Sequence, residues 1–185
     1  MSKRPMDKRI IVRIERCMGC HSCELACALA HSSTKELISL MENGEKPGYR
    51  INVEAYGINS IPVNCQHCEE AGCLMVCPTG AIHRAGDRGP VLYDAERCIG
   101  CRMCIQACPF GVVTVSPEGK RVLKCDLCVE RLAKHQEPAC VVACPTQALV
   151  FADQEDGNRI KRRKVAAQLV AALESGAQEP GQGDS

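Results

Sequence analysis

Sixteen of the 185 residues are cysteine, and they fall into four groups of four with none left over. Cys17-Cys20-Cys23-Cys27 and Cys98-Cys101-Cys104-Cys108 share the spacing C-x2-C-x2-C-x3-C. Cys65-Cys68-Cys73-Cys77 widens the middle gap to four residues, and Cys125-Cys128-Cys140-Cys144 widens it to eleven. Pro78, Pro109 and Pro145 follow the last cysteine of three groups, whereas Cys27 is followed by Ala28. Thiolates are soft ligands for iron, copper and zinc. A C-x2-C-x2-C loop wraps three corners of a cubane 4Fe-4S cluster, and in two-cluster ferredoxins the fourth cysteine ligates the other cluster. On this spacing the fourth cysteine is expected to start a helix, with the proline suiting its first turn. Structural zinc wants two C-x2-C knuckles 12–20 residues apart. Only the fourth group comes near that, and its second half is C-x3-C. The pattern reads as sixteen thiolates holding four 4Fe-4S clusters; a structural zinc–cysteine module is the weaker alternative.

The rest of the composition agrees. There is no Trp, and aromatic residues make up 3% of the chain, so a large conventional core is not expected. Chains that are thin in core and dense in cysteine rely on disulfides or metal. Residues 1–16 are rich in Lys and Arg but lack an apolar signal core, and no run of 18 apolar residues occurs anywhere. A cytoplasmic protein without membrane insertion is expected, and in a reducing cytosol eight disulfides are implausible. A formal charge of +1 argues against a nucleic-acid partner. No Ser/His/Asp set, phosphate-cradling glycine loop or paired carboxylate stands out. With every iron corner closed by cysteine, no catalytic residue is expected. His21, His31, His67, His83 and His135 are read as surface or supporting residues rather than cluster ligands.

Short elements must position these loops. Lys8–Glu15, Tyr49–Val63, Ala81–Tyr93 and Val112–Leu123 alternate with the quartets and read as strands or hairpins, the last around Pro117-Glu118-Gly119. CPTGAI, CPFGVV and CPTQAL repeat after three quartets, the mark of an internal repeat. Ser32–Gly44 reads as a helix with Ser33 and Glu36 in capping-box spacing, and Arg162–Ser175 as a second with Val165, Leu169 and Leu173 on one stripe. Both are expected to pack on the cluster modules. Lys161-Arg162-Arg163-Lys164 would then sit at the start of the second helix, opposing its dipole. The fold class expected is α+β: two ferredoxin-like modules of short β-hairpins and small helices around four cubane clusters.

The stretches CMGCHSCELAC, CQHCEEAGCLMVCPTGAI and CIGCRMCIQACPFG resemble the four-cluster polyferredoxin subunits of the molybdopterin-oxidoreductase iron–sulfur family. Members serve formate dehydrogenases and hydrogenlyases, carbon monoxide dehydrogenases and tungsten aldehyde oxidoreductases. The resemblance spans residues 17–144 and implies nested cross-ligation. Cluster 1 would take Cys17, Cys20, Cys23 and Cys144, and cluster 2 Cys65, Cys68, Cys73 and Cys108. Cluster 3 would take Cys98, Cys101, Cys104 and Cys77, and cluster 4 Cys125, Cys128, Cys140 and Cys27. An inner module over 62–120 would be inserted into an outer module of 1–61 plus 121–160, followed by a helix at 161–176 and a disordered tail at 177–185. The missing proline after Cys27 would leave a helix start less constrained. The implied function is a non-catalytic electron-transfer subunit relaying single electrons between a catalytic subunit and a second redox partner, with a free-standing carrier as the alternative. The implied catalytic partner is a tungsten or molybdenum aldehyde or formate oxidoreductase, ahead of carbon monoxide dehydrogenase, hydrogenase or a benzoyl-CoA-reductase type. Arg16, Arg97, Arg102 and Lys124 lie beside the ligand loops and are candidates to raise individual potentials. Sixteen thiolates and four cores of charge +2 would take the formal +1 to roughly −7.

Overall fold

The computed structural model describes residues 8–119 and 121–176; the tail expected over 177–185 lies outside them. Four antiparallel strand pairs alternate with the cysteine loops. β1 (Lys8–Val12) pairs with β8 (Leu149–Asp153), running from Lys8↔Asp153 to Val12↔Leu149. The other three are local hairpins: β2 (Ile51–Tyr56) with β3 (Asn59–Asn64), β4 (Ile82–Arg84) with β5 (Val91–Tyr93), and β6 (Thr114–Val115) with β7 (Val122–Leu123). Each falls within one residue of a stretch whose β-branched content and turn residues predict it. The pairing of β1 with β8 joins segments at opposite ends of the described chain and has no local turn to announce it.

Buried apolar side chains among the described residues form two cores. One gathers Ile10, Ile51, Leu127, Leu149 and Phe151 around Cys23, Cys27 and Cys140. The other gathers Ala71, Ile82, Val91, Val113 and Val122 around Cys104. Cysteines are thus part of the packing, and the apolar residues make a shell around them.

Three helices are short, and proline sets their length. α3 (Gly72–Met75), α4 (Met103–Gln106) and α6 (Ala139–Val142) each close just before the fourth cysteine of a group. A residue preceding proline is pushed out of the helical region. Cys77, Cys108 and Cys144 therefore end these helices rather than starting them, which corrects the expectation from spacing. α1 (Ser22–Ala30) shows the converse: with Ala28 in place of proline it runs on through Cys27 to Ala30. α5 (Val129–Ala133) occupies part of the eleven-residue gap that spacing alone leaves as a loop.

Two helix expectations need correction. Over 32–44 only α2 (Leu37–Glu42) is helical. Ser33 does not cap it; its hydroxyl donates to Glu45, and Lys35 adopts a φ of 57° that no helix accommodates. α7 (Gln154–Gly176) is longer than expected and begins eight residues earlier. Asp153 Oδ1 accepts the Asp156 N–H at 2.8 Å, the bond of an N-capping aspartate. Buried Gly157 sits against Ile11, where an added Cβ would come within 2.6 Å of the Ile11 side chain. The basic run at 161–164 therefore lies in the middle turns of α7, and the argument from an opposed dipole falls. Val165 and Leu169 are 53% and 61% exposed, so that stripe is not packed on the cores. No helix among the described residues is long and apolar enough to cross a membrane.

Candidate metal centres

The four cysteine loops share one backbone design. Two residues after the first cysteine of each group stands a left-handed residue: Gly19 (φ 69°), His67 (48°), Gly100 (71°) and Leu127 (58°). This turn tips the backbone so that its own N–H faces the cysteine. His67, Gly100 and Leu127 donate to Cys65, Cys98 and Cys125 Sγ at 3.5, 3.4 and 3.4 Å. Three residues after the fourth cysteine a second left-handed corner recurs at Gly80, Gly111 and Gln147 (φ 63°, 64° and 54°). It lets Ile82 N–H reach Cys77 Sγ at 3.4 Å and Ala148 N–H reach Cys144 Sγ at 3.2 Å. Cys27, inside α1, has no such corner; the Arg50 N–H, just before β2, reaches its sulfur at 3.3 Å instead. Amides aimed at sulfur favour the thiolate, the form that ligates metal.

Burial works the other way. It pushes the Cys23 and Cys128 thiols up to about 11 and raises Cys125 and Cys140 well above the ordinary thiol value as well. Such groups become thiolates only against a bound cation, and loading it must release their protons. The neighbours within electrostatic reach are informative. Cys23 feels Cys144, and Cys140 feels Cys125, Cys27, Cys128 and Cys23. Cys73 feels Lys124 and then Cys65, Cys108 and Cys68, while Cys104 feels Cys101, Cys73 and Cys98. Cys144, Cys27 and Cys108 thus lie beside the loops of a different group, which fits cubanes with crossed ligands. Cys20 and Cys101 are exposed, whereas Cys65, Cys128 and Cys140 are buried.

The supporting residues were only partly legible in sequence. His31 Nδ1 donates to the Cys27 carbonyl at 2.7 Å and lies 3.8 Å from Cys27 Sγ, while Nε2 meets the Asp126 carboxylate at 3.1 Å. Arg50 pairs with the same carboxylate at 2.8 Å. Burial disfavours charge on His31, but the bonds to Asp126 and then Cys27 outweigh it and hold its pKa near 9. His31, Asp126 and Cys128 lie close enough to hold an ion. Both imidazole nitrogens are already engaged, and Asp126 also accepts the Cys128 N–H at 2.9 Å. This trio is a brace for the loop rather than a separate metal site. His67 is not a surface residue: it is 2% exposed, and its Nδ1 accepts the Val91 N–H at 3.0 Å. Burial, and then Lys124, push its pKa down to about 3, so the ring is neutral.

Of the four basic residues expected near the loops, Arg16, Arg97 and Arg102 are exposed, and the last two bond to the carbonyls of Thr79 and Gly119. Lys124 alone is buried, at 2% exposure, with Nζ 3.5 Å from Cys65 Sγ.

Comparison with known proteins adds the following. The 4Fe-4S dicluster domain family matches residues 57–154, and a second family of the same description matches residues 16–81. An "Iron-sulfur protein" of Rhodospirillum rubrum is 38% identical over 181 residues, covering 90% of this chain and 94% of its own. "Electron transport protein HydN" of Escherichia coli K12 is 39% identical over 180 residues, covering 87% and 98%. "Thiosulfate reductase electron transfer subunit PhsB" of Salmonella typhi is 41% identical over 138 residues, covering 74% and 71%. A solved chain of the "Active site complex BamBC of Benzoyl Coenzyme A reductase as isolated" aligns over 91% of this chain and 96% of its own, at 20% identity and a TM-score of 0.42, a likeness too slight to argue from.

Proposed function

Because this chain belongs to the 4Fe-4S dicluster family, we infer from its four cysteine quartets that it holds four 4Fe-4S clusters and relays single electrons without catalysing a reaction of its own. It is built of two tandem dicluster ferredoxin-type domains with small helices and short antiparallel strand pairs. When bound, such clusters take up and release one electron at a potential set by charge, burial and hydrogen bonds to sulfur. The chain's own residues supply those settings: amides on sulfur, apolar shells, and fixed charges.

The finer reading is ours. Cys144 beside Cys23, and Cys27 beside Cys140, support an outer module in which quartets one and four exchange fourth ligands. Cys108 beside Cys73 supports the same exchange between quartets two and three, with Cys77 completing cluster 3. The two separate cores argue for an inner module over 62–120 set into an outer one of 1–61 plus 121–160. Cys125 feels Cys65 across the seam. Clusters so held would stand in the order 1, 4, 2, 3, with exposed Cys20 and Cys101 toward the two ends. Met18 (67% exposed) flanks one end and Ile99 (68%) the other, apolar rims suited to one redox partner each. One partner would be a tungsten- or molybdenum-dependent aldehyde or formate oxidoreductase, in the cytoplasm.

The observation that carries this reading is the placement of fourth cysteines against the loops of other quartets. Iron and acid-labile sulfide in anaerobically purified protein should each approach about sixteen per chain. About two irons per chain, or zinc in their place, would defeat it. Elution of the native protein near 20 kDa would instead favour the free-standing carrier.

A further inference from the structure

Lys124 follows β7 and precedes Cys125, at the point where the chain leaves the inner core for the outer one. Its ammonium has three N–H bonds and spends each on a different partner. Nζ donates to the Val91 carbonyl of β5 at 2.6 Å, to the Cys125 carbonyl at 3.1 Å, and to Cys65 Sγ at 3.5 Å. Two of these partners belong to the inner module and one to the outer. At 2% exposure the charge is shielded from water and salt, so its field on the nearby sulfurs is not screened as a surface charge would be.

We propose that Lys124 sets the potential step at the crossing between modules, its ammonium stabilising the reduced form of the cluster carried by Cys65 relative to that carried by Cys125. Reduction adds one negative charge to the inner cluster, and a desolvated cation in contact with a ligating sulfur lowers the energy of that added charge. Its contact with the outer loop is to a carbonyl, not to a sulfur, so the effect falls mainly on one side. With clusters bound, this charge would bias an electron at the seam toward the inner side. This rests on Cys65 and Cys125 belonging to different clusters, as argued above.

Potentiometric titration of the holoprotein followed by electron paramagnetic resonance tests it. Lys124→Gln removes the charge and keeps polar atoms; Lys124→Arg keeps the charge. The Gln variant should hold four clusters, with one reduced at least tenfold less readily at a given potential, about 59 mV for a one-electron couple. That cluster should be the one whose signal Cys65→Ser alters. The Arg variant should stay within about threefold of the native protein. Four unmoved potentials in the Gln variant, an equal shift in the Arg variant, or movement of a different cluster overturns the proposal. A Gln variant that no longer holds four clusters makes Lys124 a structural residue and overturns it as well. Native protein with too little iron defeats the cluster reading itself, a result separate from these.

Discussion

Cys144 is the residue at which crossed ligation is most directly tested. Cys144→Ser should cost one cluster and leave about twelve irons. Adding Cys20→Ser should cost no more, because both residues would serve cluster 1. Adding Cys128→Ser should cost a second cluster and leave about eight. Should Cys128 join Cys144 in a shared loss while Cys20 does not, ligation is local and the nested arrangement is wrong. A second residue-scale prediction concerns Gln147, exposed and held at φ 54° where Gly80 and Gly111 occupy the matching corners. A left-handed non-glycine residue costs roughly 1–2 kcal/mol, and glycine's extra chain entropy returns about 0.5–1 of it. Gln147→Gly should therefore stabilise the loaded protein by about 0.5 kcal/mol, read as a higher thermal midpoint; a lower midpoint would show that the side chain contributes more than the strain. The four cysteine groups are legible from spacing because their members are close in sequence, whereas which group each fourth cysteine meets depends on the fold. Lys124 was legible only as a basic residue near a loop, since the sulfur it meets lies 59 positions away.

At the scale of elements, hairpins announced themselves and helix ends did not. Turn residues and β-branched runs sit next to one another in the chain, so the Val112–Leu123 pairing could be read directly. The helix over 32–44 was overread because Ser33 and Glu36 had capping spacing while Ser33 bonds to Glu45 in the fold. α7 was underread because the apolar stripe that marked it, Val165, Leu169 and Leu173, lies only in its second half, while the smallness of Gly157 lets its first turns approach β1. The cap at Asp153 had a signal in the acidic run that follows it, Glu155 and Asp156. Asp153→Ala should cost about 1 kcal/mol of stability. Amide exchange should then quicken in the first turns of α7; an unchanged exchange pattern would remove the assigned cap.

The whole molecule has little to stand on without metal. Each core is a thin apolar shell that includes cysteines, and burial opposes the thiolate form of Cys23, Cys125, Cys128 and Cys140. Iron removal by a chelator under reducing conditions should abolish cooperative thermal unfolding and most ordered circular dichroism, as binding energy and folding energy are one quantity in such sites. An apoprotein that melts cooperatively at the native midpoint would contradict this. The pairing of β1 with β8 also orders the protein in time. During synthesis β1 and the first cysteine loop leave the ribosome long before β8 exists, whereas β4 to β7 and their two loops emerge together. The hairpins β4–β5 and β6–β7 find their partners within a short span of chain, whereas β1 stays without its partner until β8, near the far end of the described chain, has been made.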